Sequence, residues 1–289
     1  KNFVMAQKLY LNKFLGPAAP PSPKLRGVAG DKKVTLYWDD AAERAIDPIS
    51  KVADLQGYKI YKSQDQGSTW GEKITDSKGK LAGYVPIAQF DKIDLVQGPD
   101  RMNSANYLGD NTGLVHMFVD SAVANGVNYS YTITAYDSGS VANELESLES
   151  ARGTTASDAN LVDITPRSNP IGYVAGVATT VPIAGAGNSE TKVQIVDPSA
   201  LTGDSYLITF NKSVGVPADS FSVTNERTRV RQTKAPLKSD AMNIVEGFQI
   251  RIDGDAQTGS VKSITDQNGT NVYGSTNLNP AGSWYVKDV

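Results

Sequence analysis

The chain of 289 residues has no cysteine and a single histidine, His116. Without thiols there is no disulfide framework, no cysteine-ligated zinc site and no cysteine nucleophile. With imidazole confined to one position, a Ser-His-Asp triad or a multi-histidine metal centre would rest on that position alone. A basic surplus is also missing: 28 Lys and Arg stand against 31 Asp and Glu, a formal net charge of -3. There is no cationic excess to neutralise phosphates, so a dedicated nucleic-acid-binding domain is not expected. No apolar run is long enough to cross a bilayer as a helix. The first residues lack an initiating Met, and Gln7, Lys8, Asn12 and Lys13 interrupt any signal-peptide core, so the chain reads as a trimmed or mature piece of something longer.

What the chain does have is β-forming material. Hydrophobic residues make up 39%, charged residues only 20%, there are 26 glycines, and tyrosine outnumbers phenylalanine 13 to 7. Aromatic and β-branched residues suit pleated surfaces, and Gly and Asn supply the positive φ of tight turns. The composition predicts an all-β protein, and the length predicts two domains.

Residues 1–16 carry Phe3, Ala6, Tyr10 and Phe14 at helical spacing, an amphipathic segment. It either packs on neighbouring structure or docks on another chain, in which case Phe3, Tyr10 and Phe14 are the subunit contacts. Residues 17–24 hold four prolines (Pro17, Pro20, Pro21, Pro23), which predict a stiff spacer. From residue 25 the pattern turns to period two. Val34 to Trp38, Gly57 to Tyr61 and Asn128 to Tyr136 read as strands, the last with Tyr129, Tyr131, Ile133 and Ala135 on one face. Residues 156–160 read as a second linker. Beyond it, period-two segments beginning with Leu161 to Ile164 and ending with Trp284 to Val286 predict a second β-sandwich over residues 161–289. Between Asn169 and Gly187 the sequence fits either a long exposed loop or a flat edge strand.

The proline-rich lead, Trp38, the Gly57-Tyr58-Lys59-Ile60-Tyr61 strand and the Asn125-Gly126 to Ala135 strand followed by Asp137-Ser138-Gly139 together resemble a fibronectin type III domain over residues 25–155. The resemblance implies a β-sandwich with Tyr129 as its tyrosine corner, a buried ring whose hydroxyl bonds nearby backbone. Lys62 to His116 is longer than that family needs and reads as an insertion, where special function would sit. Tyr107 to Asp120, with Asn125 to Asp137, is similar to segments of large secreted bacterial surface proteins, many from bacteria with the type IX export route. That similarity implies an extracellular or cell-surface setting.

Several residues remain as candidates for chemistry. His116 precedes an apolar run and has Asp110 and Asp120 near in sequence. Catalysis there would need partners from elsewhere, and a strand-edge side chain is the ordinary reading. Paired carboxylates are open to the composition: Asp39, Asp40 and Glu43; Asp91, Asp94 and Asp100; Asp253 and Asp255. All stand in turn-like contexts that favour Asp on their own account. The second and third groups are also the candidates for a calcium loop, although Ile264 stands where an EF-hand needs Glu. Trp70, in a glycine-flanked turn within the insertion, is the candidate glycan contact; otherwise it covers the sandwich end. Trp284 and Tyr285 read as a terminal strand. Asn128, Asn211 and Asn268 match the N-glycosylation pattern by chance. The sequence therefore reads as a non-catalytic extracellular module that binds protein chains, copies of itself included. A carbohydrate-binding accessory of a longer polysaccharide-degrading enzyme is the alternative.

Overall fold

A computed structural model describes residues 10, 16–48, 51–76, 78–141, 145–169, 171–172, 176–184, 190–212, 218–236, 244–253, 264–265, 271–273 and 283–288. The architecture is all-β, in several antiparallel sheets. The chain divides into two compact units, Lys1–Asn169 and Pro170–Val289. Among the described residues no helix is long and apolar enough to cross a membrane.

The first unit contains β1 (Leu25–Gly30), β2 (Lys33–Trp38), β3 (Leu55–Ser63), β4 (Lys73–Thr75), β5 (Leu81–Tyr84), β6 (Ala88–Asp91), β7 (Met117–Asp120), β8 (Tyr129–Asp137) and β9 (Leu161–Ile164). One sheet has the order β1-β2-β7 and a second the order β6-β3-β8-β9, with β4 and β5 forming a separate hairpin. The alternation read from the sequence sets the core. Val34, Leu36 and Trp38 from β2 meet Tyr58 and Ile60 from β3 and Tyr129, Tyr131, Ile133 and Ala135 from β8. Register explains the meeting: Tyr58 stands opposite Ala135, and Ile60 opposite Ile133.

The N-terminal helix expected over residues 1–16, with Phe3 and Phe14, lies outside the described residues. Tyr10 is described and exposed. The proline-rich stretch is not a free spacer. Pro20 and Pro23 are buried, Ala18 N donates to Asp47 Oδ2, and Ser22 Oγ reaches Ala151 O.

The boundary between units also falls later than the sequence predicts. Leu161–Ile164, expected to open the second sandwich, closes the first by pairing with β8, Tyr131 opposite Val162 and Tyr129 opposite Ile164. Val162 and Ile164 pack on the first core, where they remove apolar surface from water. Residues 156–160 form a fastened turn: Asp158 accepts from Thr154 N and Thr155 N, and Asn160 Nδ2 bonds Ile133 O and Ala151 O.

The outer face of the four-stranded sheet is the second departure. Polar residues facing away from a core normally meet water, yet every residue of β8 is buried, and so is all of β3 except Lys62. Lys59, Tyr61, Ser63, Ser130, Thr132, Thr134 and Tyr136 all lie under a cover. Gly57 belongs to this face, where the Tyr136 hydroxyl passes over it. A Cβ there would stand 2.3 Å from Phe90 O and 2.8 Å from Tyr136 Oη. Gly57→Ala is therefore expected to destabilise the first unit by about 3 kcal/mol, the upper range of overpacking, read as a lowered midpoint in urea unfolding.

The second unit contains β10 (Ala178–Ala184), β11 (Glu190–Ile195), β12 (Ser205–Lys212), β13 (Ala218–Asn225), β14 (Arg231–Pro236), β15 (Ile244–Val245), β16 (Phe248–Asp253), β17 (Ile264–Thr265), β18 (Asn271–Tyr273) and β19 (Ser283–Asp288). Its sheets have the orders β10-β19-β12-β13-β14 and β11-β16-β15, beside a β17-β18 hairpin. Tyr206, Ile208, Phe210, Phe221 and Val223 from the first sheet share a core with Val245, Phe248, Ile250 and Ile252 from the second. The segment that fits either loop or strand supplies the edge strand β10, and the terminal segment with Trp284 pairs centrally as β19.

Candidate functional site

Three carboxylates fasten the cover over the outer sheet face. Asp91 ends β6 on that face, fully buried. Its Oδ2 accepts from Asn111 N at 2.7 Å, and its Oδ1 accepts from Thr112 N at 3.0 Å and Thr112 Oγ1 at 2.7 Å. The Asp91 amide donates to Thr112 Oγ1 in return. Gly109 makes this close approach feasible, since a Cβ would stand 2.2 Å from Asp91 Cγ and its φ is +122°. Asp94 Oδ1 accepts from Val96 N and Gln56 Nε2. Asp100 reaches two loops at once, taking Met102 N on Oδ1 and Ser147 N on Oδ2. The group read as a paired-acid or calcium candidate is thus a set of loop staples, and among the described residues no cluster suits a metal ion. Asp253 and Asp255 have no described side chains.

Beneath this cover the polar face is wired to Glu149. Its carboxylate accepts from Lys59 Nζ at 3.1 Å, Tyr61 Oη at 2.8 Å and Thr134 Oγ1 at 2.8 Å. Tyr136 Oη donates to Leu108 O and accepts from Gln89 Nε2, both at 2.7 Å, while Lys59 Nζ sits 4.5 Å from its ring centroid. Burial first, and then the nearby Glu149 charge, push Tyr61 above the ordinary tyrosine range. Burial also raises Tyr136.

Asp137, at the end of β8, is 6% exposed. Its Oδ1 accepts from Gly139 N and Leu148 N, but burial dominates and pushes its pKa up to about 6. A carboxyl raised in the folded state contributes stability that is complete below its unfolded value and falls as pH climbs to the folded one. Between about pH 4 and pH 6 this group is expected to cost roughly 2 kcal/mol. Asp137→Asn keeps the Oδ1 acceptor and removes the titration. Relative to wild type, the variant should gain that amount between the two pH values in urea titrations.

His116 directly precedes the edge strand β7, and its carbonyl accepts from Trp38 N, but its side chain turns inward. It is buried, with Trp38 at 6.3 Å and Tyr58 at 5.9 Å between ring centroids. Its Nε2 lies 2.6 Å from Glu43 Oε1, which also accepts from Tyr58 Oη at 3.1 Å. Glu43 stands on the short 3₁₀ helix Ala41–Arg44, where Asp40 pairs with Arg44. Asp39 accepts from Lys24 N. The structure brings Glu43 to His116 and gives Asp39 and Asp40 separate partners.

Trp70 is 5% exposed, so its ring has no free face for a sugar; of the two readings, the glycan contact fails and the covering role stands. The ring lies under the turn, 3.2 Å from where a Gly67 Cβ would be. The turn closes on itself above it: Asp65 accepts from Ser63 Oγ, Thr69 N and Thr69 Oγ1. Those bonds hold the Asp65 carboxyl down to about 2. Tyr129 is buried and its hydroxyl accepts from Ala124 N at 3.0 Å.

A cleft opens on the covered face. With a volume of about 300 Å³, it has Lys59 and Tyr61 of β3, Gln89 of β6 and Glu149 to Arg152 as its floor. Gly83 and Tyr84 of the hairpin form one wall, and Asn106 and Tyr107 of the insertion form another. Arg152 Cζ lies 5.0 Å from the Tyr61 ring centroid and 5.3 Å from that of Tyr84. Sequence reading missed these residues, because most belong to outward strand positions or loops that pattern assigns to water. The available signal was Tyr61 and Tyr136, large aromatic side chains in the outward register. No known family model matches the chain, and no curated protein matches it.

Proposed function

We propose that the chain is a non-catalytic structural and interaction module of a bacterial surface protein. It works outside the cell as a stalk, surface-layer, filament or adhesion component, through contacts with other protein chains. The observation that carries this reading is the use of the acidic and imidazole side chains. Asp91, Asp94, Asp100 and Asp137 accept the chain's own amides, and His116 and Glu43 hold each other against aromatic rings. Groups with catalytic potential are consumed in making a rigid body.

Two features support the fibronectin type III reading of the first unit. Seven strands divide three and four between facing sheets, as an immunoglobulin-like sandwich requires, and the Tyr129 hydroxyl bonds backbone five residues upstream, as a tyrosine corner does. Phe3, Tyr10 and Phe14 are the proposed contacts between copies, acting by helix or strand addition; head-to-tail contacts of this kind propagate into filaments.

The test joins location to assembly. Immunogold labelling of unpermeabilised cells should decorate the outer surface. The purified chain should form assemblies in light scattering and electron micrographs that shrink when residues 1–15 are deleted. Label confined to the cytoplasm would overturn the setting, and an unchanged monomer in both forms would overturn the interaction role.

A further inference from the structure

We propose that the cleft between the outer sheet face and the insertion binds an acidic saccharide, a short glycan carrying a carboxylate. Three properties select this chemistry. The charged side chains lining the cleft are Lys59, Arg152 and Glu149, two cations to one anion. Lys59 is committed to Glu149 at 3.1 Å. Arg152 also pairs with this carboxylate, at the longer distance of 3.6 Å, and the remaining N–H groups of its planar fork suit a second carboxylate.

The remaining hydrogen-bonding capacity is for hydroxyls. Gln89 uses its Nε2 on Tyr107 O and Tyr136 Oη, and Asn106 uses its Nδ2 on Ser147 O. Among the described residues neither side-chain carbonyl oxygen accepts a bond, so both are open to ligand donors. A fully ionised dicarboxylate offers none at neutral pH and hydrogenphosphate offers a single O–H, whereas a sugar offers several. The third property is apolar surface: Tyr84 is half-buried and Tyr107 is 40% exposed, giving ring faces for the C–H side of a pyranose. The volume stands at the lower end of the small-molecule range, enough for a short segment. This site is separate from Trp70 and does not depend on assembly of the chain.

The experiment uses the full chain with three probes: trigalacturonate, its neutral counterpart galactotriose, and triglutamate. Backbone amide shifts are followed by NMR, and affinities by calorimetry. Trigalacturonate should shift amides at 83–84, 105–107 and 149–152 saturably. Arg152→Gln should weaken it at least tenfold and Tyr84→Ala at least fivefold, with Leu95→Ala, an exposed site, unchanged. The wild-type shift map keeps the test decisive if either cleft variant fails to fold. Equal affinity for galactotriose would overturn the acidic requirement. Equal affinity for triglutamate would overturn the saccharide, and no shift up to the solubility limit would overturn the site.

Discussion

Asp91→Asn is expected to destabilise the first unit by about 3 kcal/mol and to loosen the insertion before the sandwich itself unfolds. The substitution is isosteric, so no cavity or clash enters. Both carboxylate oxygens of Asp91 face donors: Asn111 N on one side, Thr112 N and Oγ1 on the other. An amide accepts on one side only and turns an N–H toward a donor on the other. A buried donor left unmet costs about 1–3 kcal/mol, and the surviving bonds lose the strength that charge gave them. Asn111, with φ of +60°, holds a left-handed conformation that this carboxylate fastens, so this stretch of the insertion is the first to loosen. Limited proteolysis should cut between residues 99 and 113 far faster in the variant, while its far-ultraviolet circular dichroism stays β-rich. A variant as stable and resistant as wild type would remove Asp91 from its structural role.

Alkaline unfolding is the second large effect. Burial raises Tyr58, Tyr61, Tyr131 and Tyr136 above the ordinary tyrosine range, with Glu43, Glu149 and Asp120 adding charge repulsion at the first three. Tyr206 of the second unit is pushed up to about 12, burial again leading and Glu246 next. For an acid raised in the folded state, stability is intact below the unfolded value and is lost as pH rises above it. Above about pH 10 each of the four first-unit tyrosines contributes about 1.4 kcal/mol of lost stability per pH unit, or about 5.5 kcal/mol per pH unit together. Against a domain stability of about 5–15 kcal/mol, the first unit should unfold steeply by about pH 12. Tyrosinate absorbance should therefore rise in two stages, a gradual one from exposed rings and an abrupt one coincident with loss of near-ultraviolet dichroism. A single smooth titration with the fold retained would mean the rings are not sealed.

Strands and core were legible because period two survives tertiary packing. Val34, Leu36 and Trp38, or Tyr129, Tyr131 and Ile133, face inward as their alternation predicts. Alternation also put Ser130, Thr132 and Thr134 on the opposite face, and there it stopped, because polarity identifies a face but not what lies over it. The cover is made by bonds between residues far apart in sequence, such as Asp100 with Ser147 and Lys59 with Glu149, which no local window contains. Asp91 looked like any turn aspartate, since a solvated Asx residue and a buried staple share the same neighbours in sequence. Trp70 is ambiguous in sequence for the same reason: its glycine-flanked context fits an exposed turn as well as a ring that covers the sandwich end, and only the close pass of Gly67 shows the ring to be underneath. Leu161 to Ile164 was assigned to the wrong unit because a strand's pattern does not say which sheet lacks an edge partner.

The insertion is an integral cover of the first unit, and its acids serve structure. Native-state hydrogen exchange tests it most directly, through the amides that Asp91 and Asp100 hold, Asn111, Thr112 and Ser147, against the β8 amide of Ile133, which bonds Asn160 O. The expected result is that all four exchange with the same opening free energy, that of global unfolding of the first unit. Exchange at Asn111, Thr112 and Ser147 by low-energy local opening, with Ile133 still protected, would contradict it.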